Sequence, residues 1–183
     1  MNRLASPSQL RASFVRWALF LVPAVLLLGF LSGRLGGDAS DPWFVALAKP
    51  AIFPPPAAFG IVWPILYTLM GIAAAMVGAA WGSRYRTPAL IAFAVQLLVN
   101  LAWSPTFFGQ HQITIALYII VVLDVLLLAT MALFWKVRRT AALLLVPYLA
   151  WILFATVLNY EFLQLNRAAD GQEGSYAVQR IEL

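Results

Sequence analysis

Val146-Pro147-Tyr148-Leu149-Ala150-Trp151-Ile152-Leu153-Phe154-Ala155-Thr156-Val157-Leu158-Asn159-Tyr160 is the stretch that decides the fold class. With its flanks it is long and apolar enough to cross a bilayer, which takes roughly 20 residues. Leu, Ile and Val would suffice for an anchor. This segment adds a Trp, two Tyr, a Thr and an Asn. Trp151, Ala155 and Leu158 fall at i, i+4 and i+7, on one side of a helix. A membrane helix with such a face is suited to holding a molecule.

Four more stretches qualify as spans, so the chain reads as an all-α membrane protein, a five-transmembrane-helix bundle. The expected spans are residues 14–31, 59–81, 89–108, 113–135 and 141–163. The apolar run of the first is too long for a signal peptide, and no small-residue cleavage site follows it. Composition agrees: 63% of residues are hydrophobic and only 10% charged, against about 25% charged in soluble domains. Residues 1–13 form an N-terminal extension, 14–166 the membrane domain and 167–183 a polar C-terminal tail that is expected to fray. Pro23, Pro64, Pro105 and Pro147 each remove a backbone donor and are expected to bend their spans.

Three connectors are short, so successive helices are antiparallel neighbours. The exception is the loop 32–58. It carries Trp43, Phe44, Ile52, Phe53, Lys49-Pro50 and the run Pro54-Pro55-Pro56. Prolines make that run stiff and extended. The aromatics argue for a structured lid over one end of the bundle, with an interfacial aromatic belt as the competing reading.

Basic residues orient the chain. Arg3, Arg11, Arg16, Arg84, Arg86, Lys136, Arg138 and Arg139 fall on one side of a five-helix bundle. Only Arg34, Lys49, Arg167 and Arg180 fall on the other. The positive-inside rule then places the N-terminus in the cytoplasm and the lid and C-terminus outside. The basic residues form no stripe, so no nucleic-acid partner is expected.

The candidate chemistry is aromatic and amide. Trp63, Tyr67 and Met70 share a face of the second span, and Asn100, Trp103 and Phe107 share one of the third. A bare amide in lipid is costly, so Asn100 faces protein, water or ligand. Trp17, Trp81 and Trp135 sit at span ends, as belt residues do. His111 reads as a solvated loop residue. There is no Cys and no membrane-embedded His, so no haem ligation, no metal site and no bound cofactor is expected. Asp124, in mid-span, is either a structural hydrogen-bond partner or part of a transport path. Two small-residue rows, Gly71-Ala75-Ala79 and Ala74-Gly78-Gly82, permit close helix contact within the bundle or between copies.

Taken together, these pieces resemble the TspO/MBR family, the translocator proteins or peripheral benzodiazepine receptors. The matching residues begin with Trp43, Leu47-Ala48-Lys49-Pro50 and Pro54-Pro55 in the lid. They continue with Val62-Trp63-Pro64-Ile65-Leu66-Tyr67 and Met70-Gly71, then Gln96-Leu97, Asn100, Ala102-Trp103 and Phe107-Phe108-Gly109. The last are Pro147 to Trp151, Phe154-Ala155-Thr156 and Leu158-Asn159-Tyr160.

The resemblance implies a five-helix bundle, usually a homodimer, with a cavity under the first loop. That cavity binds porphyrins such as protoporphyrin IX, sterols, and benzodiazepine-type or isoquinoline ligands. It implies Trp43, Pro54, Trp63, Asn100, Trp151 and Ala155 as ligand-binding positions. A membrane receptor or carrier is the leading expectation, and a bacterial membrane is favoured over the mitochondrial outer membrane. One alternative is a light-dependent porphyrin-degrading enzyme using Trp63 and Trp151. Another is a ligand-sensing stress regulator acting through a partner protein. Ile52 stands where many relatives have Trp, and Phe44 where Tyr is frequent, so the lid of this chain is less polar. Lys49 is a candidate partner for a ligand carboxylate, an interfacial anchor being the plainer reading.

Overall fold

The computed structural model describes residues 6–37 and 40–172. Arg3, Arg180 and most of the expected tail therefore lie outside the described residues. Five helices are long and apolar enough to cross a membrane. They belong to α1 (Pro7–Leu35), α3 (Pro56–Gly78), α4 (Arg86–Ser104), α5 (Ile113–Val137) and the pair α6 (Arg139–Leu143) and α7 (Val146–Leu165). A short helix, α2 (Pro42–Ala46), lies in the long first loop.

Boundaries moved for local reasons. α1 starts well before residue 14 because Ser6 and Gln9 form a capping box, with Pro7 in the first turn. Much of the expected extension is thus the start of the first span. Pro23 and Pro64 lie inside unbroken helices. Pro105 and Pro147 mark breaks instead. At Pro147 the fifth span divides into α6 and α7, and the proline occupies the first turn of α7, where a missing donor is harmless.

Pro105 has a larger effect. It cannot donate to the carbonyl of Leu101, and the chain continues as a π turn over Pro105–Gly109. The Gln110 amide donates to the Pro105 carbonyl at 2.9 Å. The freed Leu101 carbonyl accepts from Ser32 Oγ of α1 at 2.6 Å. Gly36 makes this approach possible: a Cβ there would lie 2.7 Å from the backbone nitrogen of Pro105.

The small-residue rows are used inside the bundle. α1 packs along α3 more extensively than any other pair of elements. A Cβ on Gly71 would meet the Val22 Cα at 2.7 Å, and one on Gly78 would meet the Trp17 ring at 2.7 Å. Close backbone approach supplies dispersion contacts where lipid offers no hydrophobic drive. Gly82 lies beyond the end of α3 and takes a positive φ of 88° in the turn to α4. The outward faces carry exposed Leu19, Phe20, Leu98 and Val125, as lipid contact requires.

Several interior polar side chains are joined across helices. Tyr148 donates to Gln96 Oε1 at 3.2 Å, linking α7 to α4. Trp103 Nε1 donates to Asn159 Oδ1 at 3.0 Å, and Asn159 Nδ2 donates to the Ile113 carbonyl at 3.1 Å. Asn159 thereby ties α4, α5 and α7 together. Asp124 accepts from Thr156 Oγ1 at 2.9 Å, which joins α5 to α7. The basic end is also assembled: Arg86 lies over the Trp81 ring and donates to the Gly78 carbonyl, and Lys136 lies over Tyr85.

Two glycines of α3 separate packing from propensity. Gly71→Ala should lower stability by about 1–3 kcal/mol, since the new methyl meets backbone. Gly60→Ala meets open space and should raise it by about 0.5–1 kcal/mol. Thermal unfolding of the two variants in the same detergent checks the opposite signs.

Candidate functional site

The first loop is a lid, and its construction is specific. Asp41 caps α2 by accepting from the Trp43 amide at 2.8 Å. Trp43 is buried at 2% exposure, edge-on to Phe107 and stacked on His111 at 4.4 Å. Its Nε1 donates to the Ala169 carbonyl at 3.1 Å. His111 is therefore no free loop residue: its Nε2 stands 3.6 Å from Asp41 Oδ1. Phe44 packs with Phe53, Phe107, Phe108 and Phe162. Ile52 is exposed, and Pro56 opens α3, which leaves Pro54 and Pro55 as the connector.

The tail holds this lid down over the part that is described. Asn166 makes two bonds to Ala48, accepting from its amide at 2.8 Å and donating to its carbonyl at 3.0 Å. Asp170 accepts from the Thr114 amide and hydroxyl at the start of α5. Residues 167–172 are thus folded back onto the bundle, contrary to the expectation of fraying. The cause is polar bonding, which apolar periodicity does not register.

Beneath the lid lies a cavity of about 720 Å³. Trp63 and Tyr67 of α3, Asn100 and Trp103 of α4, Phe107 of the π turn, and Trp151, Ala155 and Leu158 of α7 all line it. The three faces marked by spacing converge, apart from Met70, which is fully buried in the core. Trp63 and Trp151 meet edge to face with centroids 6.5 Å apart, and Trp63 stacks on Tyr67 at 5.2 Å. Tyr67 donates to Asn100 Oδ1 at 3.1 Å, so the amide is held from one side. The wall is otherwise almost wholly apolar, the usual make-up of a small-molecule site with few orienting groups.

Of the six expected ligand positions, Trp63, Asn100, Trp151 and Ala155 line the cavity, whereas Trp43 and Pro54 do not. Their neighbours Phe44 and Phe53 line it instead. Adjacent residues of a helix or an extended chain point in different directions, so a shift of one residue changes the surface served. Lys49 does not line the cavity. Its Nζ donates to the carbonyls of Phe44, Val45 and Leu47 and sits 4.3 Å from the centre of the Phe44 ring. It closes the C-terminus of α2, and burial lowers its pKa below the ordinary lysine value. Asp124 does not line the cavity.

Phe59 and Phe162 also line the cavity and were missed by sequence reading. The spacing carried the signal: Phe59 lies four residues before Trp63, and Phe162 four after Leu158.

A lid over an aromatic cavity, built from these segments in this order, is matched by one family model. The TspO/MBR model covers residues 20–165. The chain belongs to the TspO/MBR family. The tryptophan-rich protein TspO of Chlorobaculum tepidum is 39% identical over 142 residues, covering 77% of this chain and 90% of that protein. The tryptophan-rich sensory protein of Cereibacter sphaeroides is 38% identical over 157 residues, covering 82% and 92%. The human translocator protein is 37% identical over 134 residues, covering 72% and 79%. TspO/MBR membership and the five apolar helices together make this an integral, multi-pass membrane protein.

Asn166→Ala removes both bonds to Ala48 and should loosen the lid. Two lost bonds of about 1 kcal/mol each raise the open-to-closed ratio roughly 30-fold. Faster amide exchange across residues 42–53, with the core of α5 unchanged, is the expected result.

Proposed function

We propose that this chain is a membrane receptor or carrier for flat apolar tetrapyrroles of the protoporphyrin type. The observation that supports it best is the convergence of Trp63, Trp103 and Trp151 with Asn100 on one cavity under a latched lid. Flat conjugated rings gain from face and edge contacts with such side chains, about 0.5–1.5 kcal/mol for each aromatic partner. The volume falls in the range of small-molecule sites. The same apolar wall suits a sterol, which is the second ligand class of this reading. The basic end faces the cytoplasm and the lid faces out, following the positive-inside rule. A homodimer would pack through a surface other than Gly71 and Gly78, since α1 covers both.

Intrinsic Trp fluorescence of the purified protein should be quenched on titration with protoporphyrin IX. In a Trp63→Ala, Trp151→Ala double variant the affinity should fall roughly tenfold or more, from about 1–3 kcal/mol of lost aromatic contact. Unchanged affinity removes the cavity assignment. A sterol that shares the site should displace the porphyrin and restore the fluorescence of the wild type.

A further inference from the structure

α1 and α3 are in tight contact along most of their length but not at the lid end. A Cβ on Gly29 would run into the Tyr67 ring, whereas one on Gly33 or on Gly60 would meet nothing within 4 Å. Gly33 and Gly60 are exposed and both line the cavity, so the cavity opens sideways between the two helices. The gap is set by the fold. The bond from Ser32 to Leu101 and the close approach of Gly36 to Pro105 hold the end of α1 against α4.

Arg34 lies at the rim of this opening, in the last turn of α1, and lines the cavity. Its guanidinium sits 5.3 Å from the centre of the Phe30 ring, and no described carboxylate lies within 4.0 Å of it. The other described cations at the lid end are engaged: Lys49 with the carbonyls of α2, and Arg167 with Gln164. Among the described residues, Arg34 is the only cation that lines the cavity. A guanidinium presents a planar fork that matches a carboxylate, and at a helix end it keeps contact with water.

We propose that Arg34 binds the carboxylate of the cavity's ligand at the side opening, so that the site selects flat apolar acids over their esters. This rests on the tetrapyrrole reading above. The apolar ring lies among the tryptophans, and its acidic edge lies at the rim, where it need not be buried without a partner.

The test titrates wild type, Arg34→Gln and Arg34→Lys with protoporphyrin IX and with its dimethyl ester, in neutral detergent free of anionic lipid. Wild type should bind the acid more tightly than the ester. Arg34→Gln should lose about tenfold for the acid and little for the ester, and Arg34→Lys should recover part of the loss. Equal wild-type affinity for acid and ester overturns the role of Arg34 and leaves the cavity reading standing. So does an Arg34→Gln variant whose acid-to-ester ratio stays at the wild-type value, the behaviour of an interfacial anchor. Quenching of the wild type by neither porphyrin removes the tetrapyrrole reading, and the Arg34 assignment falls with it.

Discussion

No water reaches the middle of a bilayer, so a backbone group released from its helix must find a partner in the protein. Pro105 creates that demand and the fold is arranged around the answer. Its missing donor leaves the Leu101 carbonyl free, and Ser32 from α1 takes it. The chain winds into a π turn, and that turn carries Phe107 to the place where lid and cavity meet. One absent hydrogen therefore links the end of α1, the end of α4 and the base of the lid. The same constraint acts on several interior side chains. Asn159, Gln96 and Asn100 are each bonded to another helix, and each bond settles which faces of those helices meet.

Packing and cavity come from opposite uses of small residues. Along α3, Gly71 brings α1 to backbone contact and Gly78 seats the Trp17 ring, and the helices cannot separate there without losing both. Gly33 and Gly60 face no neighbour, and the helices part. Glycine in the first setting permits contact, and in the second it leaves room. Between them the α1–α3 pair is closed at the basic end and open beside the cavity. The lid covers what remains. Because Trp43 is anchored by Ala169 and His111, and Ala48 by Asn166, its position depends on two segments, the α4–α5 connector and the stretch that follows α7.

Much of this was legible before any coordinates. Five apolar runs, the antiparallel order implied by short connectors and the aromatic faces of three spans follow from period and length, and the aromatics of the long first loop mark the lid. Spacing alone put Trp63 with Tyr67, Asn100 with Trp103, and Trp151 with Ala155. The differences have a common form. Phe44 and Phe53, rather than Trp43 and Pro54 one residue away, face the cavity, because nothing in sequence states how a short helix or an extended connector is rotated. His111 and residues 167–172 were read as solvated, because polar character looks the same whether a group meets water or a partner. Pro147 was read as a bend and proved to start a helix, since its effect depends on whether the preceding turn continues.

The sequence by itself determined that the chain spans a membrane five times, which end is basic, and which side of each helix is aromatic. These are consequences of composition and of the 3.6-residue period, and both are local. Only the tertiary structure decided that the aromatic sides enclose one cavity, that Gly71 and Gly78 are spent on α1, and that Lys49 is engaged with carbonyls while Arg34 meets no described carboxylate. Those outcomes depend on the distances between elements far apart in the chain. Such distances are set by backbone contacts at Gly71 and Gly36 and by a few polar bonds across the bundle.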